Sequence, residues 1–277
     1  LAPARKRLAA MQNEINAAKR VVIKVGSSLL IRDGTLDKQW LTGLAEEIKT
    51  ASARGQQIMV VTSGAVALGS AGAGLDRQTL TLEQSQAAAA IGQIALTQGW
   101  QDCLADKGLK AAQILLTLGD TEQRRRYLNA RRTLQALLDM GTVPVINEND
   151  TVATQELRYG DNDRLAARVA GMMSADCLIL LSDVDGFYTA APETDENADL
   201  IREVTDVNDD LLAMAGGAGS IVGSGGMVTK LQAAQIAMQA GCHMILTDGR
   251  GPHPLSRLHE TGRATLFRAT QNPLAAV

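Results

Sequence analysis

Two lysines stand where lysine is seldom found. Lys24 lies inside an otherwise apolar run, VVIKVGSS (Val21–Ser28), and Lys230 closes a glycine-rich stretch, GSGGMVTK (Gly223–Lys230). Lysine is rarely buried without a partner, so Lys24 points either to an edge strand or to an anion that it serves. Gly26, Ser27 and Ser28 follow it and offer backbone N–H groups for negative charge. The second stretch opens directly into an amphipathic helical pattern, whose N–H groups and dipole favour phosphate. A third, INENDTVATQELRYGDNDRLAA (Ile146–Ala167), crowds Asn147, Glu148, Asn149 and Asp150 at a strand end and Asp161, Asn162 and Asp163 at a helix start. One Asx residue before a helix is capping, but six Asx residues and a glutamate across two junctions exceed that need and mark a polar binding site. The fourth, VTSGAVALG (Val61–Gly69), runs a strand into Ser63 and Gly64, where a serine N-cap is the simplest expectation.

Two lysines, a phosphate cradle and a carboxylate cluster suit phosphoryl transfer, which asks the protein mainly for positioning and cationic stabilisation. An aspartate between the lysines would hold their ammonium groups in place. His243, His253 and His259 all fall late, without metal or triad spacing, and read as structural. Lack of a histidine base favours an acceptor that is already anionic, such as a phosphate or a carboxylate with a pKa of about 4.3. Other chemistries fail on spacing. There is no Gly-x-x-x-x-Gly-Lys-[Ser/Thr] loop, and the glycines around 216–226 never complete Gly-x-Gly-x-x-Gly. Asp206–Gly217 departs from a calcium loop at Leu211 and Gly217, and Ser63 lacks the preceding glycine of a hydrolase elbow.

The elements that must position these residues alternate between short β-branched runs and longer helical patterns, as in a mostly parallel α/β sheet wrapped by helices. Strands are expected at 21–25, 57–62, 110–116, 143–147, 177–182, 243–247 and 265–268. Helices are expected at 36–54, 83–107, 126–140, 163–173 and 227–239. Trp40, Leu44 and Ile48 share one helix face, as do Leu96, Trp100 and Leu104 on another. The acidic stretch 193–210 reads as a solvated loop with a short helix. Any lobe boundary falls near Ser174.

Composition narrows the setting. The chain has 277 residues, 27 Lys+Arg against 30 Asp+Glu, a net charge of −3 and 3% aromatics. This balance argues against nucleic acid, which usually needs basic surface and stacking platforms. The apolar runs are too short to span a bilayer. Cys103, Cys177 and Cys242 are far apart, odd in number and without metal spacing, so they read as buried thiols in a reducing, cytoplasmic setting. Arg5, Lys6, Arg7, Lys19 and Arg20 face only Glu14, and no apolar signal core accompanies them. Residues 1–19 are therefore expected to be a solvated basic extension.

Together VVIKVGSS, VTSGAVALG, VPVINENDTVAT, YGDNDRLAA, LLSDVDGFYT and GSGGMVTKLQAA resemble the amino acid kinase family, over about Arg20 to Phe267. The pairing of INENDTVAT with YGDND is similar to the branch that phosphorylates glutamate. The resemblance implies a three-layer sandwich around a central, mostly parallel open sheet. Residues 20–277 would form the kinase domain, with a substrate lobe over about 20–174 and a nucleotide lobe over about 175–277. It implies the reaction of ATP with L-glutamate to L-glutamyl 5-phosphate and ADP, the first step of proline biosynthesis, with Mg2+ carried on the nucleotide phosphates and no protein metal site.

Position by position, the resemblance gives Lys24 and Lys230 to the moving phosphoryl group and Asp163 to both lysines. Ser63, Asp150 and Asn162 would hold glutamate. Lys24, Gly26, Ser182, Asp183 and the loop Ser224, Gly225, Gly226, Met227, Val228, Thr229 and Lys230 would meet the nucleotide. Ser182-Asp183 stands where relatives often have Thr-Asp, which keeps a hydroxyl. A homo-oligomer, dimer or tetramer, and feedback inhibition by L-proline are further expectations. The PUA module that many bacterial members carry after the kinase fold is expected to be absent. Competing readings are another kinase of the family with a different small acceptor, a nucleotide-binding regulator without turnover, and a dehydrogenase. Both lysines argue against the second, and the missing glycine fingerprint against the third.

Overall fold

The computed structural model describes residues 11–152, 162–190, 192, 195–215 and 226–270. Helix α1 (residues 11–17) leads into strand β1 (Arg20–Val25), buried along all but its first residue. A helical turn α2 (Ser27–Leu30) and the hairpin β2 (Ile31–Arg32) and β3 (Thr35–Leu36) precede α3 (Lys38–Ala53). Asp37 caps α3, its Oδ1 accepting from Trp40 N at 3.0 Å. Next come β4 (Gln57–Val61), α4 (Ala65–Gly72) and α5 (Leu82–Ala105), the last begun by a reciprocal Thr81–Gln84 capping box. β5 (Lys110–Leu116), α6 (Leu118–Glu122), α7 (Arg124–Asp139) and β6 (Thr142–Glu148) follow. Beyond them lie α8 (Asn162–Met172), β7 (Cys177–Ser182), β8 (Phe187–Tyr188), β9 (Leu200–Ile201), β10 (Glu203–Val204) and α9 (Asp209–Ala215). The described chain ends through α10 (Met227–Gln239), β11 (His243–Asp248), α11 (Pro254–Thr261) and β12 (Ala264–Phe267).

The described residues form an eight-stranded sheet in the order β10-β12-β11-β7-β1-β4-β6-β5. Every neighbouring pair is parallel except β11 and β12. β1 is thus central, with Lys24 in register with Val61 on one side and Leu180 on the other. Side chains alternate across a strand, and two separate cores result. Val21, Ile23 and Val25 join Ile58, Val60, Ile179 and Leu181 beneath α3, α5 and α11. Val22 joins Met59, Val61, Leu178 and Leu180 on the opposite face, beneath α7, α8 and α10. Lys24 has the parity of Val22, so it projects toward α8 and α10. The architecture is the expected three-layer α/β arrangement.

Two helices of the first core approach to backbone contact. A Cβ on Gly69 of α4 would lie 1.7 Å from Ala88 O, and one on Gly92 of α5 would lie 1.9 Å from Ala65 O. Only glycine at both positions allows this crossing, which sets the rotation of α5 against the start of α4.

Three expectations are corrected. Residues 11–19 are not merely a solvated extension, because Met11, Ile15 and Ala18 are buried in the first core. Gln56 Nε2 ties the segment down, donating to Ile15 O at 2.8 Å and Ala18 O at 2.7 Å. Apolar residues four apart were hidden among the basic ones. The acidic stretch carries strands β9 and β10, and β10 extends the main sheet through its pairing with β12; Val204 and Val207 are buried there. Ser63 is not a helix cap. Gly64 caps α4 at φ 110, a left-handed conformation that favours glycine, and Ser63 Oγ instead donates to Val25 O at 3.2 Å.

Candidate active site

The parallel strands bring their carboxyl ends to one edge, where ligands of open α/β sheets bind. That edge collects Lys24 near the end of β1 and Gly26 just after it, Ser63 after β4, Asn147 to Asp150 at the end of β6, Ser182 and Asp183 at the end of β7, and the N-termini of α8 and α10. At its centre is a buried charge triad. Lys24 Nζ lies 2.5 Å from Asp163 Oδ1, and Lys230 Nζ lies 3.3 Å from Asp163 Oδ2. Asp163 is fully buried, while Lys24 and Lys230 are 7% and 6% exposed. One carboxylate therefore holds two ammonium groups at the edge where an anionic ligand would bind. Gly26 leaves the approach to Lys24 open, since a Cβ there would stand 3.9 Å from its Nζ.

Helix termini explain why the triad forms. Asp163 sits in the first turn of α8, where negative charge is favoured by the helix dipole. Lys230 sits on the fourth residue of α10, whose N-cap is Gly226. Gly226 O accepts from Thr229 Oγ1 at 2.6 Å and from Thr229 N at 3.1 Å, fixing the turn that presents Met227, Val228 and Thr229 at the helix start. Ser224 and Gly225 lie outside the described residues, as does Asp161. Ser182 Oγ donates to Asp183 Oδ1 at 3.0 Å, and Ser182 O accepts from Gly249 N at 2.7 Å, so the end of β7 is tied to the end of β11.

A second, neutral network lies beside the triad. Asn162 Nδ2 donates to Thr62 O at 2.6 Å and to Asn147 Oδ1 at 3.0 Å. Asn147 Nδ2 donates in turn to Gln93 Oε1 at 2.8 Å, and Trp100 Nε1 donates to Thr62 Oγ1 at 3.1 Å. Asn162 and Ser63 are thereby brought to the same corner through the Thr62–Ser63 backbone. Gln93 and Trp100 were not singled out as site residues from sequence. They sit on α5, far from any recognisable motif, and their apolar neighbours read only as core. Asp150 lies in the turn after β6, where Val152 N donates to Asn149 O at 3.2 Å.

The acidic corner is electrostatically loaded. Burial pushes Asp150 up to about 6. Burial also raises Glu148 to about 7, helped by the neighbouring Asp150 charge and opposed by Arg164. Two carboxyl groups held back from ionisation by burial are well suited to an ammonium group, whose charge would favour theirs. The histidines lie elsewhere, in structural roles: His243 Nδ1 accepts from Ala269 N at 3.1 Å, and His253 caps α11. Cys103, Cys177 and Cys242 are buried free thiols, and burial pushes those of Cys177 and Cys242 up, away from reactivity. No helix among the described residues is long and apolar enough to cross a membrane.

Comparison with known proteins adds an independent line. The amino acid kinase family pattern matches residues 19–248. The chain is 56% identical over 262 residues to a glutamate 5-kinase of Paramagnetospirillum magneticum, covering 94% of this chain and 70% of that protein. It is 55% identical over 260 residues to a glutamate 5-kinase of a Bradyrhizobium species, covering 93% and 69%. Among solved structures, the UMP kinase of Ureaplasma parvum superposes with a TM-score of 0.59 at 15% identity, over 90% of this chain and 97% of that one. An isopentenyl phosphate kinase superposes with a TM-score of 0.59 at 19% identity, over 89% and 99%. These two likenesses speak to the fold.

Proposed function

The chain belongs to the amino acid kinase family, and from that premise we propose that it transfers the γ-phosphoryl group of ATP to the side-chain carboxylate of L-glutamate. The products are L-glutamyl 5-phosphate and ADP, and the step opens proline biosynthesis. The observation that carries the mechanism is Asp163 bridging Lys24 and Lys230; the relatives named glutamate 5-kinase supply the acceptor.

The glutamate side-chain carboxylate is ionised at neutral pH, with a pKa of about 4.3, so it attacks without a base. Its oxygen forms a bond to the γ-phosphorus as the bond from that phosphorus to the bridging oxygen of ADP breaks. Negative charge shifts onto the leaving phosphate. Lys24 and Lys230 meet the phosphoryl oxygens, and Asp163 keeps the two ammonium groups from drifting apart under mutual repulsion. Such prealigned cations stabilise the transition state more than the ground state. Ser63 turns its single hydroxyl hydrogen from Val25 O to a substrate carboxylate, while Asp150, with Glu148 nearby, receives the α-ammonium. Asn162 has both amide hydrogens committed to Thr62 and Asn147, which leaves Oδ1 as an acceptor for the same ammonium.

Gly26, Ser182, Asp183 and Gly226 surround the nucleotide, with Met227, Val228 and Thr229 at the start of α10; Ser224 and Gly225 are assigned to it by the family resemblance alone. Residues 20–174 then serve as substrate lobe and 175–277 as nucleotide lobe. The sheet order agrees with this division, since β1, β4, β6 and β5 lie together on one side and β7, β11, β12 and β10 on the other. Magnesium, when bound, neutralises phosphate charge. The donors at the centre are ammonium groups rather than a carboxylate cage, which fits an ion carried by ATP. A cytoplasmic location, a homodimer or homotetramer, and inhibition by L-proline overlapping the glutamate site complete the reading.

The test is direct. Purified protein with Mg-ATP and L-glutamate should give an acyl phosphate that hydroxylamine traps as the hydroxamate. ADP release with UMP or N-acetylglutamate, and none with glutamate, would replace this acceptor by another.

A further inference from the structure

The neutral network has a direction that singles out one residue on α5. It begins at Thr62 O, a backbone carbonyl that can only accept. Asn162 must therefore turn its Nδ2 toward Thr62, at 2.6 Å, and the second hydrogen of that amide points to Asn147 Oδ1, at 3.0 Å. This fixes Asn147 as well: its oxygen faces Asn162, and its Nδ2 must find an acceptor on the far side. The acceptor is Gln93 Oε1, at 2.8 Å. The Asn147 donor thereby orients Gln93, whose Nε2 donates to Thr97 Oγ1 at 3.1 Å, one turn further along α5. Asn147 is only 1% exposed, so water cannot readily replace Gln93 as its acceptor.

We propose that Gln93 is a positioning residue for the amino-acid substrate, acting through Asn147 to hold the Asn162 amide with its carbonyl oxygen toward the substrate ammonium. The inference rests on the reading of Asn162 given above. Without Gln93 the Asn147 amide keeps a buried, unpaired N–H, which is costly. It relieves that cost by turning, and either turn withdraws the oxygen that faces Asn162. The chain Thr97–Gln93–Asn147–Asn162 thus links the long helix α5 to the first residue of α8, next to Asp163. The Gly92 crossing fixes the rotation of α5 one residue before Gln93, so the aim of its side chain is built into the helix packing.

Steady-state kinetics on the whole protein test this, with the KM values for glutamate and ATP measured separately and thermal melting in parallel. Gln93→Met keeps the length of the side chain and removes the acceptor. It should raise the KM for glutamate roughly 5- to 20-fold, the scale of one unsatisfied buried donor, and leave the KM for ATP unchanged. Thr97→Val should change the glutamate KM in the same direction by about 2-fold, the low end for one neutral hydrogen bond. In an Asn147→Ala background, Gln93→Met should add nothing further, since the link is already cut. A general packing defect would instead multiply through that background and affect both substrates. If Asn162→Ala raises the glutamate KM while Gln93→Met leaves it unaltered, this inference fails and the site assignment stands. If Asn162→Ala leaves the glutamate KM unaltered, the site assignment fails first and takes this inference with it.

Discussion

Replacing Asp163 by asparagine keeps the shape of the central triad and removes its negative charge. At separations of 2.5 and 3.3 Å, the two attractions amount to about 7 and about 5 kcal/mol at an effective dielectric near 20. Much of this only offsets the cost of burying three ions. Removal of one member of a buried ion pair is found to cost about 3–5 kcal/mol, because the partner charge is left without compensation. Here one substitution weakens the setting of two ammonium groups, each no more than 7% exposed, so the upper half of that range is expected. For a chain of this size each kcal/mol is worth about 2–4 °C, which predicts a fall of roughly 8–20 °C in melting temperature. Turnover should fall by at least about 10²-fold, as for the loss of a prealigned electrostatic group. Differential scanning calorimetry and the hydroxamate assay at saturating substrates read the two effects. If Asp163→Asn melts within 2 °C of the parent and keeps more than a tenth of its turnover, the triad is not what organises this site.

Lys24→Ala and Lys230→Ala should each lower turnover by roughly 10²–10³-fold with near-native circular dichroism; an unchanged rate for Lys230→Ala would remove it from the mechanism. Asp150 and Glu148 are raised to about 6 and about 7 in the folded chain, so the folded state binds more protons than the unfolded one above about pH 4. Their contribution to stability is full below that pH and is lost as pH rises through 6–7. Glu148→Gln should therefore flatten the decline and exceed the parent at pH 8 by about 1–3 kcal/mol, discounted for partial exposure, as urea midpoints at pH 5 and pH 8 would reveal. The same ionisations predict that glutamate binds more tightly at pH 8 than at pH 6, measurable by calorimetric titration. Gly92→Ala should cost about 2–3 kcal/mol, since the clash is with backbone and an overpacked core has nowhere to yield. Gly72→Ala, with nothing within 4 Å of the added carbon, should be neutral or stabilising by about 0.5–1 kcal/mol.

Much of this architecture could be read from residue spacing because the physics behind it is local. β1 is buried on both faces, so its apolar run shows directly, and the exception at Lys24 marks the site. Glycines at 55, 108 and 141 adopt positive φ at element ends, and these punctuation marks are visible in any sequence. The Lys24–Asp163–Lys230 triad was legible only through resemblance, because nothing in the spacing says that residues 139 and 67 positions apart will meet. Strand parity supplies the missing reason: Lys24 must face α8 and α10 once Val21, Ile23 and Val25 face α3. The failures have the opposite character. Helix α1 was obscured because its buried Met11 and Ile15 sit among polar neighbours on the exposed face. Strand β10 has two residues and exists only because β12 offers an edge. Gln93 looked like any glutamine on an alanine-rich helix, since its meaning lies in which amide hydrogen of Asn147 needs an acceptor.

The central place of β1 also has a consequence for how the chain is made. β1 leaves the ribosome before the other described strands, yet one of its two edges pairs with β7, about 150 residues later. At synthesis rates of about 5–20 residues per second, that edge waits some 8–30 s for its neighbour. During this interval an apolar strand pairs on one side only, and Lys24 has not yet met Asp163. The nascent chain is therefore exposed to premature edge-to-edge association until β7 emerges. Holdase chaperones that cover open strands, or slow codons placed before β1 emerges rather than after it, would influence the yield of folded protein more than its final stability does.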